Sequence, residues 1–321
     1  MLRDGIAGRA ALAAAFAALL APAAAQGAGK PVVTTGAAAN IAQQSVTLTG
    51  TVAPNGAPTT YYFQYGPTIV YGSTTPATAV NATMRVSAAV SGLAPATKYH
   101  YRLVAQNAHG LTTGKDHAVK TRPQPLGVTL AATPNPVPWG AATTLAGTLS
   151  GTGNANRAVV LQANPFPYTQ GFANAANAQL TNAHGDFSFP LTSVALNSQY
   201  RVLMTDRPAV VSPIVTLGVA VHVSTHVRRQ RLRRGMRVRF SGTLRPARDG
   251  AQFAIQKLSK GTWRTVAGGI THHGGAGFSR YAKRVRIRHS GTFRVFMGIS
   301  DGNYVSNVGR TVELHIPRHR S

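Results

Sequence analysis

The feature that most constrains the fold of this 321-residue chain is a pattern of strand-like segments that occurs three times. One marker is an early segment with a central glycine, found as LTGTV, LAGTL and FSGTL, whose glycines Gly50, Gly147 and Gly242 are 97 and 95 residues apart. The other is a late segment with an aromatic-Arg pair, found as YRLVA, YRVLM and FRVFM from Tyr101, Tyr200 and Phe293, at intervals of 99 and 93 residues. Two independent markers with the same period predict three tandem domains.

Within the repeats, the hydrophobic pattern is that of β-strands. Between Ser45 and Thr121, runs such as SVTLTGTV, TYYFQYG, MRVSAAV and KYHYRLVA alternate in polarity and are separated by Gly, Pro, Asn and Ser. No sustained 3.6-residue period of apolar residues, which an amphipathic helix would need, follows residue 25. Short alternating strands in repeats of about 100 residues are typical of β-sandwiches. We therefore predict an all-β fold of three tandem β-sandwiches.

The first 25 residues are predicted to be a cleaved signal peptide. Arg3 and Arg9 accompany an apolar run of 11 residues, Ala11 to Ala21, and Ala23-Ala24-Ala25 offers a small-residue cleavage site. The run is shorter than the about 20 residues of a membrane span, and an uncleaved anchor helix is the alternative. No later segment is long and apolar enough to span a bilayer. We expect a secreted protein that is released or kept at the cell envelope by charge.

Proline marks the first predicted domain boundary. TRPQPLG, from Thr121 to Gly127, is a short stiff linker, whereas VTLGVAVHVST leads from the second repeat into the third without a spacer. The predicted domains are residues 31–122, 126–219 and 220–316, after the signal peptide at 1–25. The chain has no cysteine, so each domain must be stable through its own core. We expect the second and third domains, divided near Val219, to be closely coupled.

The stretch SGLAPATKYHYRLVAQNAHG, residues 91–110, gives the first domain a resemblance to a known family. Leu93 and Pro95 are expected to close one strand, and Tyr99 to begin the next. This arrangement resembles the tyrosine corner of fibronectin type III domains, and the resemblance, to bacterial members of that family, covers residues 31–122. It implies a β-sandwich in which the Tyr99 hydroxyl bonds to upstream backbone. Gly50 departs from the pattern, because many such domains have a core tryptophan there. The second and third domains resemble generic bacterial immunoglobulin-like modules through the shared Gly-Thr and aromatic-Arg segments.

The ionisable residues give little support to catalysis. Glycoside hydrolysis needs two carboxylates, and after the signal peptide the acids are few and scattered: Asp116, Asp186, Asp206, Asp249, Asp301 and Glu313. Asp116-His117 and His184-Gly185-Asp186 are acid–histidine neighbours. His272 and His273 are expected on a flexible loop, where adjacent imidazoles diverge, whereas zinc needs three or four convergent ligands. No Gly-x-Ser-x-Gly elbow or phosphate-binding glycine loop occurs. We predict no enzyme activity, no cofactor and no metal site.

Basic residues concentrate in the predicted third domain. Residues 221–321 carry 21 of the 33 lysines and arginines and 3 of the 7 acids, and therefore +18 of the net charge of +26. Two runs stand out, RRQRLRRGMRVRF and KRVRIRH. Their candidate anion-binding residues are Arg228, Arg229, Arg231, Arg233, Arg234, Arg237, Arg239, Lys283, Arg284, Arg286 and Arg288.

Each run predicts a strand with one basic side. In MRVRF and KRVRIRH, apolar residues alternate with arginines, and successive side chains of a strand point to opposite sides of the sheet. The second and fifth strands of an immunoglobulin-like sandwich belong to one sheet. If the two runs are those strands, their arginines form a single cationic face suited to bidentate capture of phosphate or carboxylate.

We therefore expect a secreted, non-enzymatic protein whose third domain attaches to an anionic polymer of the envelope or the extracellular matrix. A solvated basic face that binds nothing, on a purely structural spacer, is the plain alternative. An accessory module of a polysaccharide-degrading system is another. Non-specific binding of extracellular nucleic acid is a further alternative, but Trp263, Phe278 and Tyr281 are few and are expected in the core, which leaves little for base stacking.

Overall fold

Strands and loops make up the described part of the chain. The computed structural model describes residues 27–317, so the predicted signal peptide lies outside it, and every regular element within this range is a β-strand. The predicted all-β fold class is confirmed. No stretch of residues 27–317 forms a helix with the length and apolar character needed to cross a membrane. The chain divides into two compact units, one ending at Arg122 and the other beginning at Pro123.

The first unit is a sandwich of two antiparallel sheets. Its strands are β1 (Val32–Thr35), β2 (Ser45–Ala53), β3 (Thr59–Gly66), β4 (Ser73–Thr74), β5 (Thr78–Val80), β6 (Met84–Ser91), β7 (Lys98–Asn107), β8 (Gly110–Thr113) and β9 (His117–Lys120). One sheet has the order β1-β2-β6, and the other has the order β4-β3-β7-β8, with β5 beside β3 and β9 beside β7. Alternate residues of these strands, including Leu48, Phe63, Tyr101 and Leu103, are buried between the sheets.

The second sandwich begins the other unit. Its strands are β10 (Gly127–Val128), β11 (Ala131–Thr133), β12 (Val137–Pro138), β13 (Thr143–Ser150), β14 (Ala158–Pro165), β15 (Ala173–Asn174), β16 (Gln179–Leu180), β17 (Asp186–Leu191), β18 (Ser198–Met204), β19 (Val210–Val211), β20 (Val215–Leu217) and β21 (Val219–Ala220). One sheet has the order β10-β13-β11 with β17 beside β13. The other has the order β15-β14-β18-β19, with β16 beside β14 and β20 beside β18. Leu145, Leu161, Phe189 and Val202 lie in the core.

The third sandwich completes that unit. Its strands are β22 (His222–Val223), β23 (His226–Val227), β24 (Arg237–Arg245), β25 (Gln252–Ser259), β26 (Thr262–Ile270), β27 (His272–Gly275), β28 (Phe278–Arg286), β29 (Gly291–Gly298), β30 (Asn307–Val308) and β31 (Val312–Leu314). One sheet has the order β22-β24-β28-β27 with β23 beside β24. The other has the order β26-β25-β29-β30 with β31 beside β29. Phe240, Ile255, Val295 and Met297 are buried between them.

The second and third sandwiches share a packed junction. Tyr304 packs against the cores of both, and Ala220 of β21 forms a parallel bridge with Val305 of the third sandwich. The backbone N–H of Asn197 donates to Asn303 O at 2.8 Å, and its Nδ2 donates to Gly302 O at 2.8 Å. These contacts make the two sandwiches parts of one compact unit, within which a domain boundary near Val219 stays a prediction.

The repeated glycine marks a close approach of two backbones. A Cβ atom at these positions would lie 2.7, 2.0 and 1.9 Å from a carbonyl oxygen of the preceding strand segment, closer than real side chains approach. The three glycine and carbonyl pairs are Gly50 with Thr34, Gly147 with Thr129, and Gly242 with Ser224. The glycine is therefore required by packing in each sandwich, and this also explains why Gly50 cannot be the core tryptophan of the fibronectin type III pattern.

The repeated arginine holds together the outer side of one sheet in every sandwich. Its Nε donates to the Oε1 of a glutamine directly opposite on the paired strand, at 2.7, 2.8 and 2.8 Å. Its guanidinium carbon lies 4.7, 4.2 and 4.2 Å from the centre of an aromatic ring. The three sets are Gln64, Arg102 and Tyr71; Gln162, Arg201 and Phe172; and Gln256, Arg294 and Trp263. We call each set a Gln–Arg–aromatic clamp.

Candidate anion-binding interface

The two basic runs of the third sandwich contribute strands that are direct neighbours. Strands β24 and β28 pair antiparallel, with Arg237 opposite Arg286 and Arg239 opposite Arg284. Directly opposed residues of an antiparallel pair lie on the same side of the sheet, with Cβ atoms about 5 Å apart. The structure therefore places four arginines in two facing pairs.

The residues between these arginines anchor the strands in the core. Val238, Phe240, Val285 and Ile287 are 5, 0, 7 and 2% exposed and belong to the hydrophobic core of the third sandwich. Because neighbouring residues of a strand point to opposite sides, burial of this set turns the intervening arginines outward. All of the arginines are exposed, including Arg288, which continues the alternation beyond the end of β28.

The face extends to two arginines that the sequence analysis did not include. Arg245 at the end of β24 and Arg280 near the start of β28 have the same alternation and are exposed. Counting positions in steps of two from Arg239 and Arg284 would have found them, but both lie outside the contiguous basic runs. We call the set the arginine face; its members are Arg237, Arg239, Arg245, Arg280, Arg284, Arg286 and Arg288.

No carboxylate balances the arginine face among the residues that the structure describes. The acids of the third sandwich lie elsewhere: Asp249 and Asp301 are in loops, and Glu313 is on β31 of the other sheet. Of the salt bridges in residues 27–317, none includes a member of the face. Like charges directly opposite each other destabilise a sheet, so the facing arginine pairs oppose folding rather than support it.

Most guanidinium groups of the face have no internal partner within the described range. Arg286 Nε donates to Gly235 O at 3.2 Å, and the Arg245 guanidinium lies 5.0 Å from the centre of the Phe278 ring. Arg237, Arg239 and Arg284 make no side-chain hydrogen bond to residues 27–317. Their donors are open to a ligand that brings negative charge.

Six of the predicted binding residues lie off this face. Lys283 is exposed, but it is opposite Phe240 and has the alternation of the buried residues Tyr281 and Val285. The five arginines from Arg228 to Arg234 are exposed on the connection between β23 and β24, which contains no strand. Arg231 forms a bridge with His315, beside the other sheet. The sequence run therefore bends away from the sheet before β24 begins.

The predicted tyrosine corner can be located in the first sandwich. The Tyr99 hydroxyl accepts a hydrogen bond from the backbone N–H of Ala94 at 3.0 Å. Strand β6 ends at Ser91, because Gly92 takes a φ of 75°, so Leu93 and Pro95 lie in the corner and do not close the strand. Leu93 is 6% exposed and Pro95 O accepts from the Thr97 hydroxyl at 2.9 Å.

Asp116 pairs with a histidine that is distant in the sequence and not with its sequence neighbour. Asp116 contacts His100 at 2.7 Å and accepts from the Tyr71 hydroxyl at 3.0 Å, whereas adjacent His117 packs on Tyr101. Burial raises the pKa of Asp116, but the hydrogen bonds from His100 and Tyr71 outweigh it and hold that pKa below its usual value.

The prediction of a loop at His272 and His273 is wrong. These residues begin β27, because their backbone pairs with Arg280 and Ser279 of β28. No group of three or more His, Cys, Asp or Glu side chains that could hold a metal ion occurs between residues 27 and 317.

Comparisons with known proteins do not assign this chain to a family. No protein-family model matches the sequence. No curated protein matches it either. Among solved structures, the chain is similar to the FN1–FN3 domains of chicken CNTN1, with 15% identity, a TM-score of 0.30, and coverage of 89% of this chain and 99% of that one. It is also similar to domains A168–A170 of titin, with 14% identity, a TM-score of 0.38 and the same two coverages. What the protein binds must be inferred from its own side chains.

Proposed function

We propose that this protein is a secreted, non-enzymatic binding protein whose third sandwich attaches to an anionic polymer of the cell envelope or the extracellular matrix. The observation that carries the proposal is the arginine face, which has two directly opposed arginine pairs and, among residues 27–317, no carboxylate in a salt bridge with them. Such an arrangement costs stability in the free protein and is relieved when an anion lies across it. The predicted signal peptide supports secretion, and the charge of the face would retain the protein at an anionic surface.

The shape of the face favours a polymer over a small anion. On the β28 side, its arginines extend from Arg280 to Arg288, a span of about 27 Å at about 3.4 Å per residue. The side chains stand on the outer side of an open sheet, and a single phosphate or carboxylate could contact only one or two of them. A linear polyanion could contact several, because arginine forms paired hydrogen bonds with each phosphate or carboxylate group.

The face provides charge but little aromatic surface. Tyr281 is 2% exposed in the core, Phe278 lies beneath Arg245, and Trp263 lies beneath Arg294 on the other sheet. Stacking of bases on exposed rings is the usual source of single-strand affinity beyond charge. Nucleic acid would therefore be bound through its phosphates, without sequence preference.

The carboxylates of the described residues support a binding role over catalysis, because several are engaged in structural contacts. Asp186 accepts from Thr148 Oγ1 at 2.8 Å, and Asp301 accepts from Arg248 Nε at 2.7 Å.

A second role as a spacer is favoured by the shared junction of the second and third sandwiches, where Tyr304 packs on both cores.

The test replaces the arginines in the full-length protein. A variant with Arg237, Arg239, Arg284, Arg286 and Arg288 changed to serine should fold, because the buried residues between them are untouched. At about 0.1 M salt, where the Debye length is near 10 Å, it should lose most of its retention on immobilised inorganic polyphosphate.

The matched control removes the same charge from the first sandwich. Arg85, Lys98, Lys115, Lys120 and Arg122 are exposed there, and a variant with these five changed to serine should retain polyphosphate like the parent. Equal losses in both variants would show that net charge alone matters. If the parent itself is not retained, the arginine face is a solvated surface and the protein is a spacer.

A further inference from the structure

Three histidines flank the arginine face. His222 on β22 lies opposite Arg245, and His226 on β23 lies opposite Ser241, both at the β24 side. His272 on β27 lies opposite Arg280, at the β28 side. Opposed residues share a side of the sheet, so all three imidazoles belong to the side that carries the arginines.

The burial pattern supports this placement. Val223 and Val227, the neighbours of two of these histidines, pack into the core of the third sandwich. His222, His226 and His272 are themselves exposed. The outer side of this sheet therefore has arginines at its centre and imidazoles along both flanks.

The charged groups around the histidines are cationic. Arg245 faces His222, and Arg280 faces His272. Arg239 lies diagonally from His226 in the register with β24. From the β30–β31 connection, Arg310 Nε donates to the carbonyl of Thr225 at 3.1 Å, next to His226. The carboxylate in contact with a histidine of this sheet is Asp249, which is 3.4 Å from His273, a residue opposite the buried Ser279.

We infer that the three histidines are part of the anion-binding surface and that it binds polyanions more tightly as the pH falls from 7.5 to 5.5. Histidine is the side chain whose charge ordinarily changes between pH 5 and 8, whereas arginine stays charged throughout. A bound polyanion attracts the protonated form of a neighbouring imidazole, so binding and proton uptake favour each other. The inference rests on the proposed function, because it concerns the same face and the same class of ligand.

The experiment measures binding of the full-length protein to long-chain inorganic polyphosphate at pH 7.5 and pH 5.5 over a series of salt concentrations. Affinity should rise by about fivefold or more at the lower pH. The slope of log affinity against log salt should become steeper by about two, because each added phosphate contact contributes about 0.7.

A triple variant, His222→Gln, His226→Gln and His272→Gln, should keep the affinity at pH 7.5 and lose the increase at pH 5.5. The matched control changes three exposed histidines away from the face, His109, His184 and His315, to glutamine and should keep the increase. A pH response that survives in the triple variant, or is absent from the parent, overturns the inference while the proposed function stands. Absence of binding at both pH values overturns the proposed function itself.

Discussion

Arg239 and Arg284 face each other across β24 and β28, and neither forms a salt bridge within the part of the chain that the structure describes. Replacing either residue with threonine should therefore raise the free energy of unfolding of the second unit by about 0.2 to 1 kcal/mol at low salt. The increase in the free energy of unfolding of the double variant should be smaller than the sum of the two single increases. The first replacement already removes the repulsion, so the second has none left to relieve. Urea unfolding of the four proteins at low and high salt measures this coupling. Strict additivity at low salt would show that the pair does not repel.

We expect Tyr281 to make the stability of the third sandwich decrease at alkaline pH. Burial raises its pKa to about 12, against the opposing effect of the hydrogen bond with Thr225, whereas the ordinary value is 10.0. The stability that this hydroxyl contributes is thus present below about pH 10 and is lost as the pH rises towards about 12.

The variant Tyr281→Phe tests this pH dependence. Its free energy of unfolding should be lower at pH 8, by about 0.5 to 1.5 kcal/mol, because the bonds to Ser224 O and Thr225 are lost. Between pH 10 and 12, the free energy of unfolding of the variant should decrease less than that of the parent. Some decline should remain, because burial also raises the pKa of Tyr200. An unchanged decline would exclude Tyr281 as a source of the alkaline sensitivity.

At the scale of the elements, the Gln–Arg–aromatic clamp of the third sandwich connects three neighbouring strands, β26, β25 and β29. Arg294→Ala removes the bond to Gln256 and the stacking on Trp263 and should cost about 1 to 2 kcal/mol of unfolding free energy. Arg264→Ala, at an exposed position of the adjacent strand β26, is the control and should change stability by less than about 0.5 kcal/mol. Thermal unfolding of both variants measures the two changes in stability. Equal losses of stability would mean that the clamp does not stabilise the third sandwich.

The strands were predictable from the sequence because alternation is a local property. Val285 and Ile287 had to enter the core, and the arginines between them had to point outward, whatever the partner strand was. The register that sets Arg239 opposite Arg284 was not predictable, since the two residues are 45 positions apart in the sequence. Lys283 belongs to the same basic run, but its alternation is that of Tyr281, so its role in anion binding stays a prediction apart from the arginine face. The clamps were not predictable from the sequence either, because Gln256 and Arg294 are far apart in the chain and come into contact only when β25 pairs with β29.

At the scale of the whole molecule, the shared junction should make the second and third sandwiches unfold together. Asn197 accepts from the backbone N–H of Val219 at 2.6 Å and donates to Gly302 O at 2.8 Å, so its side chain joins segments of both. Calorimetry should show one transition for the unit that begins at Pro123 and a separate one for the first sandwich. Asn197→Ala should split the former transition into two. Two transitions for that unit in the parent would contradict the account.

The central claim of the proposed function is that the basic third sandwich, and not the rest of the chain, binds polyanions. The most direct measurement is the salt dependence of polyphosphate binding by the full-length parent, the five-arginine variant and the five-residue control of the first sandwich. Release of counterions makes log affinity fall linearly with log salt, by about 0.7 per phosphate contact. The account predicts that the slope of the five-arginine variant is shallower than that of the parent by about 3.5, and that the control keeps the parent's slope. Identical slopes for the parent and the five-arginine variant would contradict it.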